Sequence, residues 1–263
     1  MPLIEIPGRI RLHYLEEGVG PPMLWLPGGN DCAALMLYAH RSLAQRVRLI
    51  CVDPRGQGES AAPRTAEAYA PAEHVADLLG LLDNLGLDRV IIGGHSRGGR
   101  TSVEFALVHP DRVVAVIAAA SPLLGSTPDR EGGFRRYQSA LAGEGVDAFL
   151  DLLRSGPRHP ERRAIWRAAA HRAGPDALIA QYEALSRLQP LTERLASLAV
   201  PGLFLTGDRD FLRDHARVAA AASPLVRSGE IANAGHALFA DNPGEYFAAL
   251  NGFLDMIVGP PEA

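Results

Sequence analysis

The segment Arg89–Arg100, RVIIGGHSRGGR, contains the most informative local pattern of the chain. Residues 90–92 (VII) form a short β-branched run, which is typical of a strand buried on both faces. Beyond the glycines, the mixed apolar and polar pattern up to His109 predicts a helix, and a proline follows it. The segment therefore predicts a strand that turns sharply into a helix at Ser96.

The five residues Gly94–Gly98 match the pattern G-x-S-x-G around this turn. Small residues two before and two after the serine let the strand and the helix approach closely, and the hydroxyl is then pushed into the open. The alternative is an ordinary turn whose serine only caps the helix. The order of strand, turn and helix favours a nucleophilic serine.

A nucleophilic serine needs a base that takes its proton and an acid that orients the base. Of the nine histidines, His236 stands out because it follows a glycine in a loop after the last predicted strand. Two acids, Asp208 and Asp210, follow the preceding strand, and the order of the residues permits either. His95 is expected to point away from Ser96, since successive side chains of a strand alternate.

These motifs resemble the α/β-hydrolase superfamily, and the resemblance extends over nearly the whole chain. Gly235-His236 resembles the family's G-H segment, and residues 53–60 (DPRGQGES) resemble its D-x-R-G-x-G-x-S loop, which is mostly structural. The resemblance implies Ser96 as the nucleophile and His236 as the base, in the order expected on this fold. It implies Asp210, three residues after the glycine that ends the strand, as the orienting acid.

The order of the predicted elements indicates an α/β protein with a mostly parallel, twisted sheet and helices on both faces. Residues 1–121 and 199–263 are expected to form the core, beginning with an antiparallel pair of strands. Residues 122–198 lack a strand pattern and are expected to form an inserted helical cap over the serine, because ligands of open α/β sheets bind beyond the carboxyl ends of the strands. The helices predicted in this cap span residues 134–141, 146–153, 161–172 and 176–188.

The resemblance also implies an oxyanion hole made of two backbone amides. The family usually has His-Gly followed by a donor residue; here Pro27 replaces the histidine, Gly28 aligns with the glycine, and Gly29 becomes the candidate donor. Asn30 is an alternative. The second implied donor is the amide of Arg97, whose side chain is a departure from the apolar or neutral residue that is commoner there. We expect its guanidinium to meet a substrate carboxylate or to pair with an acid of the cap.

Composition and charge limit the classes of function. The 263-residue chain is 47% hydrophobic and 21% charged with a net charge of −4, which is typical of a soluble globular protein and does not indicate nucleic-acid binding. The start of the chain lacks the features of a signal peptide, and the apolar run 113–120 is far shorter than the roughly 18 residues of a membrane span. We therefore expect a cytoplasmic protein without a membrane partner, metal or cofactor. The oligomeric state stays open.

The resemblance implies a serine hydrolase that cleaves a small carboxylic ester or lactone through an acyl-enzyme. Alternatives on the same triad are perhydrolase-like or haloperoxidase-like chemistry, thioester cleavage and carbon-carbon bond hydrolysis. A ligand receptor with little turnover is the alternative from another class. Epoxide hydrolases and haloalkane dehalogenases are disfavoured, because those relatives carry an aspartate at the position of Ser96.

Overall fold

Eight strands form one sheet in the computed structural model, which describes residues 3–153 and 156–260. The strands are β1 (Leu3–Ile6), β2 (Ile10–Glu17), β3 (Pro22–Leu26), β4 (Arg48–Asp53), β5 (Val90–His95), β6 (Val113–Ala119), β7 (Gly202–Gly207) and β8 (Val226–Ile231). Their order across the sheet is β1-β2-β4-β3-β5-β6-β7-β8. β2 runs antiparallel to β1 and β4, and the other neighbouring pairs are parallel. The predicted α/β class, with its antiparallel start, is confirmed.

Helices alternate with these strands along the described chain. They are α1 (Ala33–His40), α2 (Pro71–Asn84), α3 (Arg97–Val108), α4 (Pro128–Gly143), α5 (Val146–Leu153), α6 (Pro160–Ser186), α7 (Thr192–Leu195), α8 (Arg213–Ala220), α9 (Leu238–Asp241) and α10 (Pro243–Val258). Short 3-10 turns occur at Arg41–Gln45, Ala66–Tyr69 and Pro110–Arg112. None of these described helices is both long and apolar enough to span a membrane.

The sheet carries an apolar layer on each face, because successive side chains of a strand point to opposite sides. Met23 and Trp25 of β3 belong to the cluster that includes α1 and α10, whereas Leu24 and Leu26 belong to the cluster that includes α2, α3 and α8. All four side chains are buried, and each burial contributes about 1.5 to 3 kcal/mol to folding. The prediction of helices on both faces is therefore confirmed.

Between β6 and β7 the described residues of the segment 122–198, which we call the cap segment, form helices and loops. The helix predicted at 146–153 coincides with α5, and the one predicted at 134–141 lies within the longer α4. The helix predicted at 161–172 lies in α6, which is interrupted at Gly174, and the one predicted at 176–188 extends two residues beyond the end of α6 at Ser186. Gly174 has φ 78° and ψ 165° and precedes a proline, so the backbone bends between the two predicted segments.

The helix α1 is not predicted by the local sequence pattern. Cys32, at its N-cap, makes no side-chain cap. The acceptor for the first amide of α1 instead comes from the end of β4, where Oδ1 of Asp53 accepts a hydrogen bond from the Ala33 amide at 2.6 Å. The hydroxyl of Ser60 in turn donates to the Asp53 carbonyl at 2.6 Å. These contacts agree with the structural interpretation of residues 53–60.

Candidate active site

Ser96 lies at a sharp turn between β5 and α3. Its backbone has φ 52° and ψ −120°, a strained conformation that costs about 1 to 3 kcal/mol in a residue with a side chain. A Cβ at Gly94 would lie 2.5 Å from the carbonyl carbon of Gly98, and a Cβ at Gly98 would lie 2.4 Å from the carbonyl oxygen of Leu26. The two glycines of the motif therefore allow β5, α3 and β3 to pack closely around the serine.

His236 is within hydrogen-bond distance of both other residues of the predicted triad. Ser96 Oγ lies 3.0 Å from Nε2 of His236, and Nδ1 of His236 lies 3.1 and 3.2 Å from the two carboxylate oxygens of Asp210. The residues follow β5, β8 and β7, whose carboxyl ends share one edge of the sheet. The His236 side chain is 30% exposed and that of Asp210 is 0% exposed, so solvent reaches the imidazole but not the acid.

The surroundings of Asp210 keep its carboxylate charged. Burial by itself raises the pKa of this carboxyl, but the hydrogen bond from His236, the charge of that ring and the Leu212 amide together lower it below its ordinary value. The Leu212 amide donates to Oδ1 at 3.0 Å. A charged acceptor beside Nδ1 favours the imidazole tautomer with its hydrogen on Nδ1, which leaves Nε2 free to accept a proton from the serine.

Asp208 has a different set of partners. Its carboxylate oxygens accept hydrogen bonds from the amides of Asn233 and Ala234, each at 3.0 Å. The Asn233 amide is the main cause that lowers the pKa of Asp208. Asp208 thus holds the loop that leads to His236, whereas Asp210 contacts the imidazole itself.

The loop after β3 lies beside the serine. A Cβ at Gly28 would lie 3.4 Å from the Cβ of Ser96, whereas a Cβ at Gly29 would have no neighbour within 4 Å. In residues 3–153 and 156–260, no backbone or side-chain acceptor bonds the amides of Gly29 and Arg97. Both predicted donor amides are therefore without an acceptor among the described residues, and the residue before Gly29 lies beside the serine. An oxyanion hole requires unbonded amides of this kind.

The side chain of Arg97 does not behave as expected. It is buried, and it donates from Nη1 to Oε1 of Gln181 at 2.8 Å and from Nη2 to Oε1 of Gln57 at 2.5 Å. The expected pairing with a cap acid is wrong, and donation to two amides argues against contact with a substrate carboxylate. The Asn30 side chain is also engaged, because its Nδ2 donates to the hydroxyl of Tyr182 at 2.7 Å.

His95 contacts the loop of His236, which strand alternation alone does not indicate. Its side chain is buried, and its Nε2 donates to the backbone carbonyl of His236 at 2.7 Å. Burial lowers the pKa of His95 to about 3, and the charge of His236 acts in the same direction, so the ring is neutral. Sequence reasoning missed this contact because it joins residues from distant parts of the chain.

An exposed aromatic ring covers one face of the imidazole. The centroid of the Phe211 ring lies 4.7 Å from that of His236, with 30° between the ring planes. Phe211 is 69% exposed and directly follows Asp210 in the chain. The turn that positions the acid therefore also places an apolar surface beside the proposed base.

Away from the triad, the described residues form a further cavity and no metal site. Within 3–153 and 156–260, no group of three or more His, Cys, Asp or Glu side chains is arranged to hold a metal ion. A cavity of about 440 Å³ lies between α3, the turn at 66–70 and the end of the cap segment, lined partly by Arg100, Glu104 and Arg194. The triad residues do not line this cavity.

The fold and the site agree with a comparison to protein families. A family model described as alpha/beta hydrolase fold matches residues 21–243. The chain therefore belongs to the alpha/beta hydrolase family. The match includes Ser96, Asp210 and His236, so the whole proposed triad lies inside the family region.

Curated relatives resemble part of the chain. It is 35% identical over 162 residues to an epoxide hydrolase of Caballeronia sordidicola, covering 61% of this chain and 47% of that protein. It is 36% identical over 121 residues to the bifunctional epoxide hydrolase 2 of Sus scrofa, covering 46% of this chain and 22% of that protein. The alignments thus span less than half the length of these relatives.

Solved structures resemble nearly the whole chain. The enol-lactonase of Burkholderia xenovorans LB400 aligns with a TM-score of 0.84 and 24% identity, covering 96% of this chain and 99% of that one. A thermophilic esterase of Thermogutta terrifontis aligns with a TM-score of 0.80 and 24% identity, covering 97% of both chains. At this level of identity the likeness establishes the fold.

Proposed function

We propose that this protein is a serine hydrolase that cleaves a small carboxylic ester or lactone through an acyl-enzyme. Ser96 is the nucleophile, His236 the general base and acid, and Asp210 the residue that orients the imidazole. The observation that carries the proposal is the chain of hydrogen bonds from serine to histidine to aspartate, with Oγ 3.0 Å from Nε2 and Nδ1 3.1 Å from the carboxylate. The mechanism needs no metal or cofactor.

Acylation begins when Nε2 of His236 takes the proton of the Ser96 hydroxyl. Oγ forms a bond to the substrate carbonyl carbon, and the carbonyl electron pair moves onto oxygen, where the amides of Gly29 and Arg97 stabilise it. The tetrahedral carbon then expels the alcohol oxygen, which receives the proton from the imidazolium. In a lactone this oxygen stays attached to the acyl chain. Asp210 stabilises the imidazolium without taking its proton.

Deacylation repeats these steps with water. His236 takes a proton from a water molecule whose oxygen attacks the acyl carbon, and the two amides again hold the oxyanion. Collapse breaks the bond to Ser96 Oγ, which regains its proton from the imidazolium. The products are a carboxylic acid and a free enzyme. The partial exposure of His236 supports this half of the reaction, since water can reach the imidazole.

The chemistry of serine favours ester cleavage over epoxide opening, although the curated relatives above are named epoxide hydrolases. Attack of a serine oxygen on an epoxide carbon would form an ether, which has no carbonyl that water can attack. An aspartate nucleophile would instead form a hydrolysable ester. Ser96 occupies the nucleophile position here, and the named activities of the enol-lactonase and the esterase, which share the fold, suit a serine.

Turnover of p-nitrophenyl esters of increasing chain length, together with lactones, tests the proposal. Intact-protein mass spectrometry should show one fluorophosphonate adduct on the parent and none on Ser96→Ala, which should also lose ester turnover while keeping its fold. Equal labelling of the two proteins would contradict the assignment of the nucleophile.

The same assay, extended to acyl thioesters, substrates with a cleavable carbon-carbon bond and hydrogen peroxide, separates the alternatives. A parent that labels but hydrolyses no ester or lactone would favour a receptor with little turnover. Hydrolysis of acyl thioesters or of carbon-carbon bonds in preference to esters would change the substrate class and keep the triad. Peroxide-dependent oxidation that exceeds hydrolysis would favour a perhydrolase-like activity.

A further inference from the structure

Arg97 is a buried cation whose partners are neutral. Its guanidinium donates to the amide oxygens of Gln57 and Gln181, and no described carboxylate pairs with it within 3–153 and 156–260. A buried charge is costly unless it is paired or well hydrogen-bonded. Arg97 is also the first residue of α3 and directly follows Ser96, and its backbone amide is one of the two proposed oxyanion donors. The side chain of Arg97 thus bonds the two glutamines, while its main chain is part of the proposed oxyanion hole.

Gln57 connects this guanidinium to the loop that supplies the other donor. Its Oε1 accepts from Arg97, and its Nε2 donates to the carbonyl oxygens of Gly28 at 2.6 Å and Asp31 at 2.9 Å. A guanidinium can only donate and a carbonyl can only accept, so the orientation of the amide is fixed by its partners. These two carbonyls lie on either side of Gly29 in the chain, and the amide of Gly29 is the other proposed oxyanion donor.

The cap segment reaches the same loop by two routes. Gln181 of α6 accepts from Arg97 through Oε1, and its Nε2 donates to the carbonyl oxygen of Gly56 at 3.0 Å. The next residue, Tyr182, accepts a hydrogen bond from the Asn30 side chain through its hydroxyl at 2.7 Å. Two consecutive residues of α6 therefore contact the loop after β3. Gln181 does so indirectly, through Arg97 and Gln57, and Tyr182 does so directly.

We propose that Arg97, Gln57, Gln181 and Tyr182 form an oxyanion brace, a set of positioning residues through which α6 fixes the amides of Gly29 and Arg97 relative to Ser96. The inference rests on the proposed function for its catalytic consequence. A guanidinium suits the central place because it donates in two directions at once and because hydrogen bonds from a charged donor are stronger than those between neutral groups. Loss of the contacts that these four residues make therefore loosens the oxyanion hole.

Three substitutions test the brace. Arg97→Met removes the guanidinium and keeps the backbone amide. Gln57→Glu keeps an acceptor for Arg97 but turns a carboxylate oxygen toward the carbonyls of the loop. Gln181→Met removes the contact of α6 with Arg97 and changes no residue of the turn at Ser96. The matched control is Gln138→Met, a cap glutamine of α4 that donates to the Ile179 carbonyl at 3.3 Å, inside the cap segment.

Hydrogen-deuterium exchange of the full-length protein should accelerate at residues 28–32 in all three variants and stay at the parent rate in Gln138→Met. Loss of one oxyanion donor lowers kcat about 10²- to 10³-fold in other enzymes, so a displaced donor should cost about 10- to 100-fold in kcat, with KM nearly unchanged. The inhibition constant of an aryl trifluoromethyl ketone, which binds as an oxyanion, should rise by the same factor as kcat/KM falls.

Exchange at residues 28–32 that equals the parent's in Arg97→Met and Gln181→Met would overturn the brace. So would faster exchange with an unchanged kcat and an unchanged ketone affinity, or an equal loss in Gln138→Met. Gln181→Met keeps the test valid if Arg97→Met folds poorly. Faster exchange in the variants of a parent that neither labels with fluorophosphonate nor turns over ester would support the brace and overturn the proposed hydrolase function.

Discussion

The exchange of Asp210 for asparagine tests which acid orients His236. Oδ1 of Asp210 accepts the Leu212 amide at 3.0 Å, so the asparagine oxygen is expected to keep that place and the NH2 group to take the place of Oδ2. That site lies 3.2 Å from Nδ1 of His236. An NH2 group there donates to Nδ1 and favours the tautomer with its hydrogen on Nε2, which cannot accept the proton of Ser96.

The size of the effect follows from this geometry. The equivalent change in a serine protease lowers kcat about 10⁴-fold. Here the retained oxygen still lies 3.1 Å from Nδ1, so part of the productive tautomer survives. We expect a loss of about 10³- to 10⁴-fold in kcat, which corresponds to about 4 to 5.5 kcal/mol of transition-state stabilisation.

Asp208→Asn is the matched control, because it makes the same chemical change two residues earlier. Asp208 contacts the amides of Asn233 and Ala234 and not the imidazole. It should therefore lower the melting temperature modestly and retain most of the parent's kcat. Both variants are compared at equal folded fraction, judged by circular dichroism, on the best p-nitrophenyl ester. An inactive Asp208→Asn beside an active Asp210→Asn would refute this reasoning.

Three further predictions concern the surroundings of the triad. His95→Phe removes the donor to the partly buried His236 carbonyl, so urea unfolding should give a free energy of unfolding lower by about 0.5 to 1.5 kcal/mol, and kcat should fall as well; an unchanged kcat would show that the contact does not position the base. Gly98→Ala places a Cβ 2.4 Å from the Leu26 carbonyl oxygen, so the turn at Ser96 must shift, and thermal unfolding should show a free energy of unfolding lower by about 1 to 3 kcal/mol; a normal melting temperature would contradict the close packing. Burial raises the pKa of Asp31 from 3.8 to about 7, with His236 opposing the shift, so the fold favours the protonated acid and its contribution to stability is lost as pH rises from about 4 to 7. Asp31→Asn should therefore gain stability relative to the parent across that range. A difference in urea midpoint between variant and parent that is the same at pH 4.5 and pH 8 would count against it.

Local chemistry in the sequence was sufficient to predict the sheet class and the turn at Ser96. The β-branched run before the turn and the glycines at 94 and 98 act over a few residues, so their effect can be predicted without knowing the rest of the fold. The order of residues left Asp208 and Asp210 open, and the resemblance to the family, in which the acid lies three residues after the glycine, selected Asp210. The structure brings Ser96 and Asp210 to His236, which lies 140 residues from Ser96 in the chain.

Contacts between distant segments could not be predicted in this way. The helix α1 depends on a cap from Asp53, which lies 20 residues beyond its first residue. The Arg97 side chain was expected to find an acid, yet it lies between Gln57 and Gln181, which are 40 and 84 residues away. The strand, the turn and the nucleophile candidate can be predicted from the sequence, because they follow from backbone sterics and local polarity. The groups that surround them depend on how the whole chain packs, because a buried polar group bonds with whatever the packed chain brings within reach.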